Sequence, residues 1–258
     1  MNPAQWAVVW SAGLFVGMVA CLDAGYRIGC RSSARHPELA HEGVGAIEAA
    51  VFALLGLLLG FSFAGGTSRL DARRQLIVQE ANAIGTAYLR FDLLPATDQP
   101  EMRQMLREYV DARLQVYEKL SDPKGADEEF VHMERLQRQI WSRATAASST
   151  DPTHNATRLL LPALNEMIDI TTARTIAVHT HLPSLIFSLL VLVAFLSSLL
   201  AGYAMAKRKK RSWLHMLLYA AVVASTVYVV LDLDNPRFGW IHLSAADNAL
   251  IQVRDSMR

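Results

Sequence analysis

The stretch from Glu42 to Pro95 constrains the chain more than any other, because an apolar run and a charged helical pattern share it with no proline between them. Its first part, Val44 to Ala64, carries a single charge, Glu48. At about 1.5 Å of rise per residue, a helix of this length crosses a hydrocarbon core of roughly 30 Å. The second part continues as a polar pattern of helical period. The stretch therefore predicts one continuous helix, its first half in lipid and its second half in water.

Within the membrane half, Gly45, Ala49, Ala53, Gly56, Gly60 and Ala64 recur at spacings of three and four and so form one stripe without bulk. Small residues let helix backbones approach closely in lipid, where apolar burial gives helices no reason to associate. The stripe predicts packing of this helix against protein. Glu48 lies near the start of the span on a different strip. An ionisable group at that depth costs a few kcal/mol, so it faces a partner or a water-filled path, or else sits shallow enough to reach the headgroups.

Four runs, Ala4 to Leu22, Val44 to Ala64, Ser184 to Ala206 and Trp213 to Leu231, approach the length of a span and hold nearly all the long uncharged stretches. The composition is that of a four-span membrane protein. A net charge of +1 argues against a nucleic-acid partner. Cys21 and Cys30 have neither metal-ligand spacing nor further partners, which leaves no zinc site or disulfide framework to build. The head of the first run has no positive side chain and no cleavage signal follows it, so that run is expected to be a retained helix, with Trp6 and Trp10 at the membrane–water boundary.

Orientation follows from the short loops. Arg27, Arg31 and Arg35 lie between the first two spans, and Lys207, Arg208, Lys209, Lys210 and Arg211 between the last two. Basic residues in short loops stay in the cytoplasm. Against these stand only Arg69, Arg73 and Arg74 beyond the second span. The balance predicts a multi-pass protein of the cell inner (plasma) membrane, with both termini and the long middle region outside the cytoplasm.

From Thr67 to His181 the chain reads as helices with brief breaks. Leu70, Ile77, Ile84 and Phe91 fall seven apart, with Arg74, Ala81 and Tyr88 between them, as in the seam of a coiled coil. Pro95 marks a corner, with Asp98 as cap of the next helix, which runs to about Leu120. Ser121 to Gly125 reads as a turn, a further helix spans about Asp127 to Ala147, and Ser148 to Pro152 is the next break. A last helix from about Thr153 leads toward the third span, with Pro183 either bending it or starting a new one.

The expected architecture is all-α: a four-span helical membrane protein with a helical-bundle stalk formed by extensions of the second and third spans. Its parts are 1–66 (the first two spans), 67–182 (the stalk), 183–231 (the last two spans) and 232–258 (a turn and a short C-terminal helix). In the turn after the last span, Asp232 and Asp234 are weak calcium candidates, since carboxylates suit that ion. The alternative is local capping and pairing, with Arg237 the obvious partner. His179 and His181 are two apart and diverge on a helix, so no metal site is expected there. No phosphate loop or catalytic constellation stands out, and no cofactor is implied.

LLGLLLGFSFAGGTSRLDARRQLIVQEANAIGTAYLRFDLLP, with LDLDNPRFGWI after the last span, resembles the bacterial membrane proteins that carry a bestrophin-like domain. Bestrophins are pentameric anion channels with four spans per subunit, and apolar side chains on the second span narrow the pore. The resemblance thus implies a homo-oligomer of five subunits and a neck at Ala53, Leu57 and Phe61. Such an apolar ring gates by dewetting. It also implies a cytoplasmic helical region, opposite to the charge count.

Two functions follow. In the first, the protein is an oligomeric channel for inorganic anions such as chloride, its second span lining the pore and Arg69 and Arg73 raising anion concentration at the mouth by their field. In the second, it is a sensor or scaffold whose stalk binds a ligand or partner and shifts the attached helices. An enzyme has least support. Expected partners are the lipid bilayer, further copies of the chain and inorganic anions, and not nucleic acid.

Overall fold

A computed structural model of the chain describes residues 3–35, 44–119, 123–150, 154–206, 211–236, 239–241 and 244–257. The described residues are almost all helical, without strands. The helices are α1 (Pro3–Arg35), α2 (Val44–Arg90), α3 (Gln99–Glu118), α4 (Pro123–Ser149), α5 (Leu161–His179), α6 (Ser184–Ala206), α7 (Trp213–Asp234) and α8 (Ser244–Ser256). Four stretches, carried by α1, α2, α5 with α6, and α7, are long and apolar enough to span a membrane. The chain is thus a four-span, all-α membrane protein. Lys207, Arg208, Lys209, Lys210 and Arg237 lie outside the described residues.

The chain divides into two compact units, one of residues 1–70 with 181–242 and one of residues 71–180 with 243–258. In the first, the core gathers Met18 and Leu22 of α1, Leu55 of α2, Leu190 and Ala194 of α6, and Met216, Ala220 and Val227 of α7. Helices α1 and α6 run parallel: Trp10 meets Phe187 edge to face at 5.8 Å between ring centres, and Gly29 adjoins Tyr203 and Ala206. Their approach is closest where a Cβ on Gly25 would lie 2.0 Å from the Leu199 carbonyl oxygen, and one on Gly202 2.0 Å from that of Leu22. Only a hydrogen atom fits at these two positions. This small-residue crossing, by which helices associate in lipid, follows from a Gly-x-x-x-Gly spacing at Gly25 and Gly29 that the reading centred on α2 passed over.

Helix α7 returns antiparallel to α1, since Arg211 pairs with Asp23 near the end of α1. Helix α2 starts at that same end, where Ile47 shares a crevice with Gly25 and Ile28, and reaches Leu233 of α7 at Gly66. The four helices alternate in direction, as successive spans must.

The second unit contains residues 71–90 of α2 with α3, α4, α5 and α8. The seam continues into it as expected: Ile77, Ala81, Ile84, Tyr88 and Phe91 are buried. Arg74 is not part of it. It lies exposed against Asp71, while the neighbouring Arg73 turns inward. The corner at Pro95 follows a turn of 3-10 helix at Phe91–Leu93, and Asp98 stands at the N-cap of α3 without a side-chain capping bond. Helix α8 packs on α3, joined by Arg254 Nη2 donating to Asp111 Oδ2 at 2.9 Å. The chain leaves helix at Thr180, whose ψ of 107 is extended, and Ser184 begins anew after Pro183. The extension of the second span is therefore one helix with it, whereas that of the third is a separate helix.

Candidate pore-lining face

Helix α2 uses opposite sides for opposite purposes. Val51, Leu55, Leu58, Ser62 and Gly66 follow one line at helical spacing, and the apolar members among them join the core of the first unit or meet Leu233. At about 100° per residue, Ala53, Leu57, Gly60 and Ala64 fall on the far side of that line. All four are exposed, as are Gly45, Ala49, Gly56 and Phe61. Leu57 is 53% and Phe61 66% accessible. Among the described residues a Cβ built on Gly45, Gly56 or Gly60 would meet nothing within 4 Å. Ala53 belongs to the small-residue stripe and Leu57 lies beside it, whereas Phe61 stands about 100° around the helix from Gly60 and farther from Gly56; no helix of the same chain covers any of the three among the described residues. Lipid is matched by bulky aliphatic side chains, which this stripe lacks.

Glu48 is partly exposed and has no hydrogen-bond or ion-pair partner among the described residues.

The two arginines expected at a pore mouth are in different settings. Arg69, in the first unit, donates from Nε to Asp234 Oδ1 at 3.1 Å, so a carboxylate offsets its charge. Arg73, in the second unit, is buried and donates to the carbonyls of Ala177 at 3.0 Å and Thr180 at 2.9 Å. A guanidinium at the end of α5 satisfies carbonyls left without helical partners and sits at the negative end of the helix dipole.

Asp232 and Asp234 are both buried and both receive protein donors. Asp232 accepts from the backbone N–H of Trp240 and Ile241 at 3.1 and 3.2 Å. The turn depends on Gly239, where a Cβ would lie 1.4 Å from Asp232 Oδ1. Asp234 accepts from Arg69, from the Leu182 backbone N–H at 3.2 Å, and lies 3.2 Å from His181 Nδ1. Within the first unit these acids tie the end of α7 to Arg69 of α2, to the backbone just before α6 and to the turn at 239–241. Among the described residues no group of three or more His, Cys, Asp and Glu is placed to share a metal ion. The Arg69–Asp234 pair went unread in the sequence because it joins residues far apart along the chain.

The buried polar centre of the second unit was also missed. Glu80 is 0% exposed and bonded by Arg113 Nε at 2.9 Å and by Arg174 Nη1. Thr171 Oγ1 lies 3.4 Å from Glu80 and 2.9 Å from the Tyr109 hydroxyl. Burial pushes the Tyr109 phenol above its ordinary pKa, against smaller lowering by Arg113 and the Thr171 hydrogen bond. Glu80 adjoins the seam position Ala81, and an acid beside a seam was the only available signal.

The fold is similar to that of a crystal structure of a membrane protein, at a TM-score of 0.62 and 16% identity over 94% of this chain and 98% of that one. No curated protein matches the chain. The Bestrophin-like domain matches residues 16–245, nearly the whole of the four-span architecture described above, and the chain belongs to the Bestrophin-like family.

Proposed function

We propose that the protein is an oligomeric, anion-conducting channel, without enzymatic activity, in which α2 lines the pore and Ala53, Leu57 and Phe61 form its neck. The observation that carries this reading is the bare surface of α2, where Leu57 beside the small-residue stripe and Phe61 on the adjoining flank are left uncovered by the subunit's own packing. A copy-to-copy contact through Gly45, Ala49, Gly56, Gly60 and Ala64 brings the apolar side chains toward a common axis, where a ring of them gates by dewetting. Family membership supports channel-type transport, and the resemblance to bestrophins supports five subunits. Arg69 and Arg73 enter as the basic residues beyond the neck, Arg69 with its charge offset by Asp234. The inner membrane holds the protein with its basic loops in the cytoplasm and its helical stalk on the other side.

Anion efflux from liposomes carrying the purified protein tests this reading against Phe61→Ala and empty vesicles. Protein-dependent efflux whose rate or selectivity changes in Phe61→Ala is expected. Efflux indifferent to Phe61 removes the neck assignment, and none above empty vesicles removes the channel. Disulfide crosslinking between copies of Leu57→Cys reads the axis directly.

A further inference from the structure

At the end of the first unit away from Asp234, α1, α2 and α6 leave an apolar crevice of about 270 Å³ between Gly25, Ile28, Ile47, Leu199, Leu200 and Tyr203. It falls below the roughly 300–1,000 Å³ of sites that enclose a drug-sized ligand, and it suits a segment of hydrocarbon chain. Ile28 and Ile47 are exposed at its mouth. Ile47 stands about 100° or more around α2 from every member of the small-residue stripe, and about 40° from Phe61 at the other end of the span, so contact between copies through the stripe leaves the crevice open.

One turn beyond Ile28 on the same side of α1 come Arg31 and Ser32. Ser32 accepts from the Tyr203 hydroxyl at 3.2 Å, which places a pair of hydroxyl groups at the rim. Arg31 is exposed and has no ion pair among the described residues. Close by on the chain, Arg27 and Arg211 share one carboxylate, Asp23, with the Arg27 contact at 2.8 Å. Arg211 also lies 3.9 Å over the Trp213 ring. Among the described residues three arginines thus stand against one aspartate where α1 ends its span, and Trp213 and Tyr26 mark that level as a membrane–water boundary. Glu48 does not line the crevice.

We propose that this crevice binds an anionic phospholipid, one acyl chain lying between Ile28 and Ile47 and the phosphodiester held by Arg31 with the Ser32 and Tyr203 hydroxyls. An amphiphile with an apolar tail and a negative head is the ligand that matches an apolar slot ending in positive charge that no carboxylate among the described residues pairs. The inference stands apart from the conducting role of α2.

Native mass spectrometry of the full-length protein in detergent tests it, with phosphatidylglycerol and phosphatidylcholine of identical chains as probes. The protein is expected to retain phosphatidylglycerol about fivefold more strongly, the worth of one arginine facing a net negative headgroup, since the choline cation of phosphatidylcholine already offsets its phosphate. Arg31→Gln abolishes that preference while keeping weak retention of both lipids. Ile47→Trp, which fills the crevice, loses both. Each variant keeps the wild-type melting temperature, since both side chains are exposed. Excess inorganic phosphate leaves the bound lipid in place. Equal retention of the two lipids by the wild type, a preference that survives Arg31→Gln, retention unaffected by Ile47→Trp, or displacement by phosphate alone would each overturn the proposal.

Discussion

Single side chains decide how the second unit is held. Glu80 is enclosed with Arg113 and Arg174, and removing the carboxylate leaves two buried guanidinium groups facing each other. Breaking a buried pair in this way costs about 3–5 kcal/mol. Glu80→Ala should lower the unfolding free energy by that amount in denaturant titration, and the buried charge makes Glu80→Ala worse than Arg113→Met. Tyr109 adds a dependence on pH. Its folded-state pKa is raised by burial, so below the unfolded value of about 10 the phenol is neutral in both states and its contribution is fully present. Above that value the unfolded chain releases the proton while the folded chain retains it, and stability falls as pH rises through the window up to the folded value. Denaturant titrations above pH ~10 should show this loss, and Tyr109→Phe should remove it. At neutral pH the same variant forgoes the bond to Thr171, worth about 1 kcal/mol.

Helices of this chain carry small residues for two different purposes. In α1 and α6, Gly25 and Gly202 admit the backbone of the neighbouring helix, and no side chain fits. Gly202→Leu should separate the pair and lower the melting temperature of the purified protein, at a cost of about 1–3 kcal/mol or more for an overpacked contact. In α2, a Cβ on Gly56 or Gly60 would meet no atom within 4 Å among the described residues. Gly60→Leu should therefore leave the melting of the subunit almost unchanged and instead reduce the oligomer seen by light scattering. A Gly60→Leu variant that melts early yet keeps its oligomeric mass would show that the stripe packs within the subunit.

For the molecule as a whole, labelling from either side of the membrane tests the orientation of the stalk. The count of basic residues in the loops predicts a stalk outside the cytoplasm, whereas the resemblance to bestrophins implies one within. In a background of Cys21→Ala and Cys30→Ala, Glu128→Cys on exposed α4 surface should react with a membrane-impermeant maleimide in intact spheroplasts. Lys209→Cys should react only after lysis. The reverse pattern would invert the protein in the membrane, and would leave the neck and the lipid crevice in place, because neither depends on direction.

The spans, the unbroken α2, the corner at Pro95 and the buried seam from Ile77 to Phe91 were all legible in the sequence. Each is set by length, helical period or proline chemistry acting within a few turns of chain. The stripe on α2 and the apolar residues beside it were legible as a pattern, although the pattern alone does not say whether the face turns toward the subunit or away from it. Tertiary structure decided that, by turning Leu55 and Gly66 inward and leaving Leu57 and Phe61 bare. It also decided the charge partners: Arg69 with Asp234, Glu80 with Arg113 and Arg174, and Asp23 with Arg211. These pairs join distant parts of the chain, and a charged side chain finds its partner only after packing has removed water and fixed which helices are neighbours.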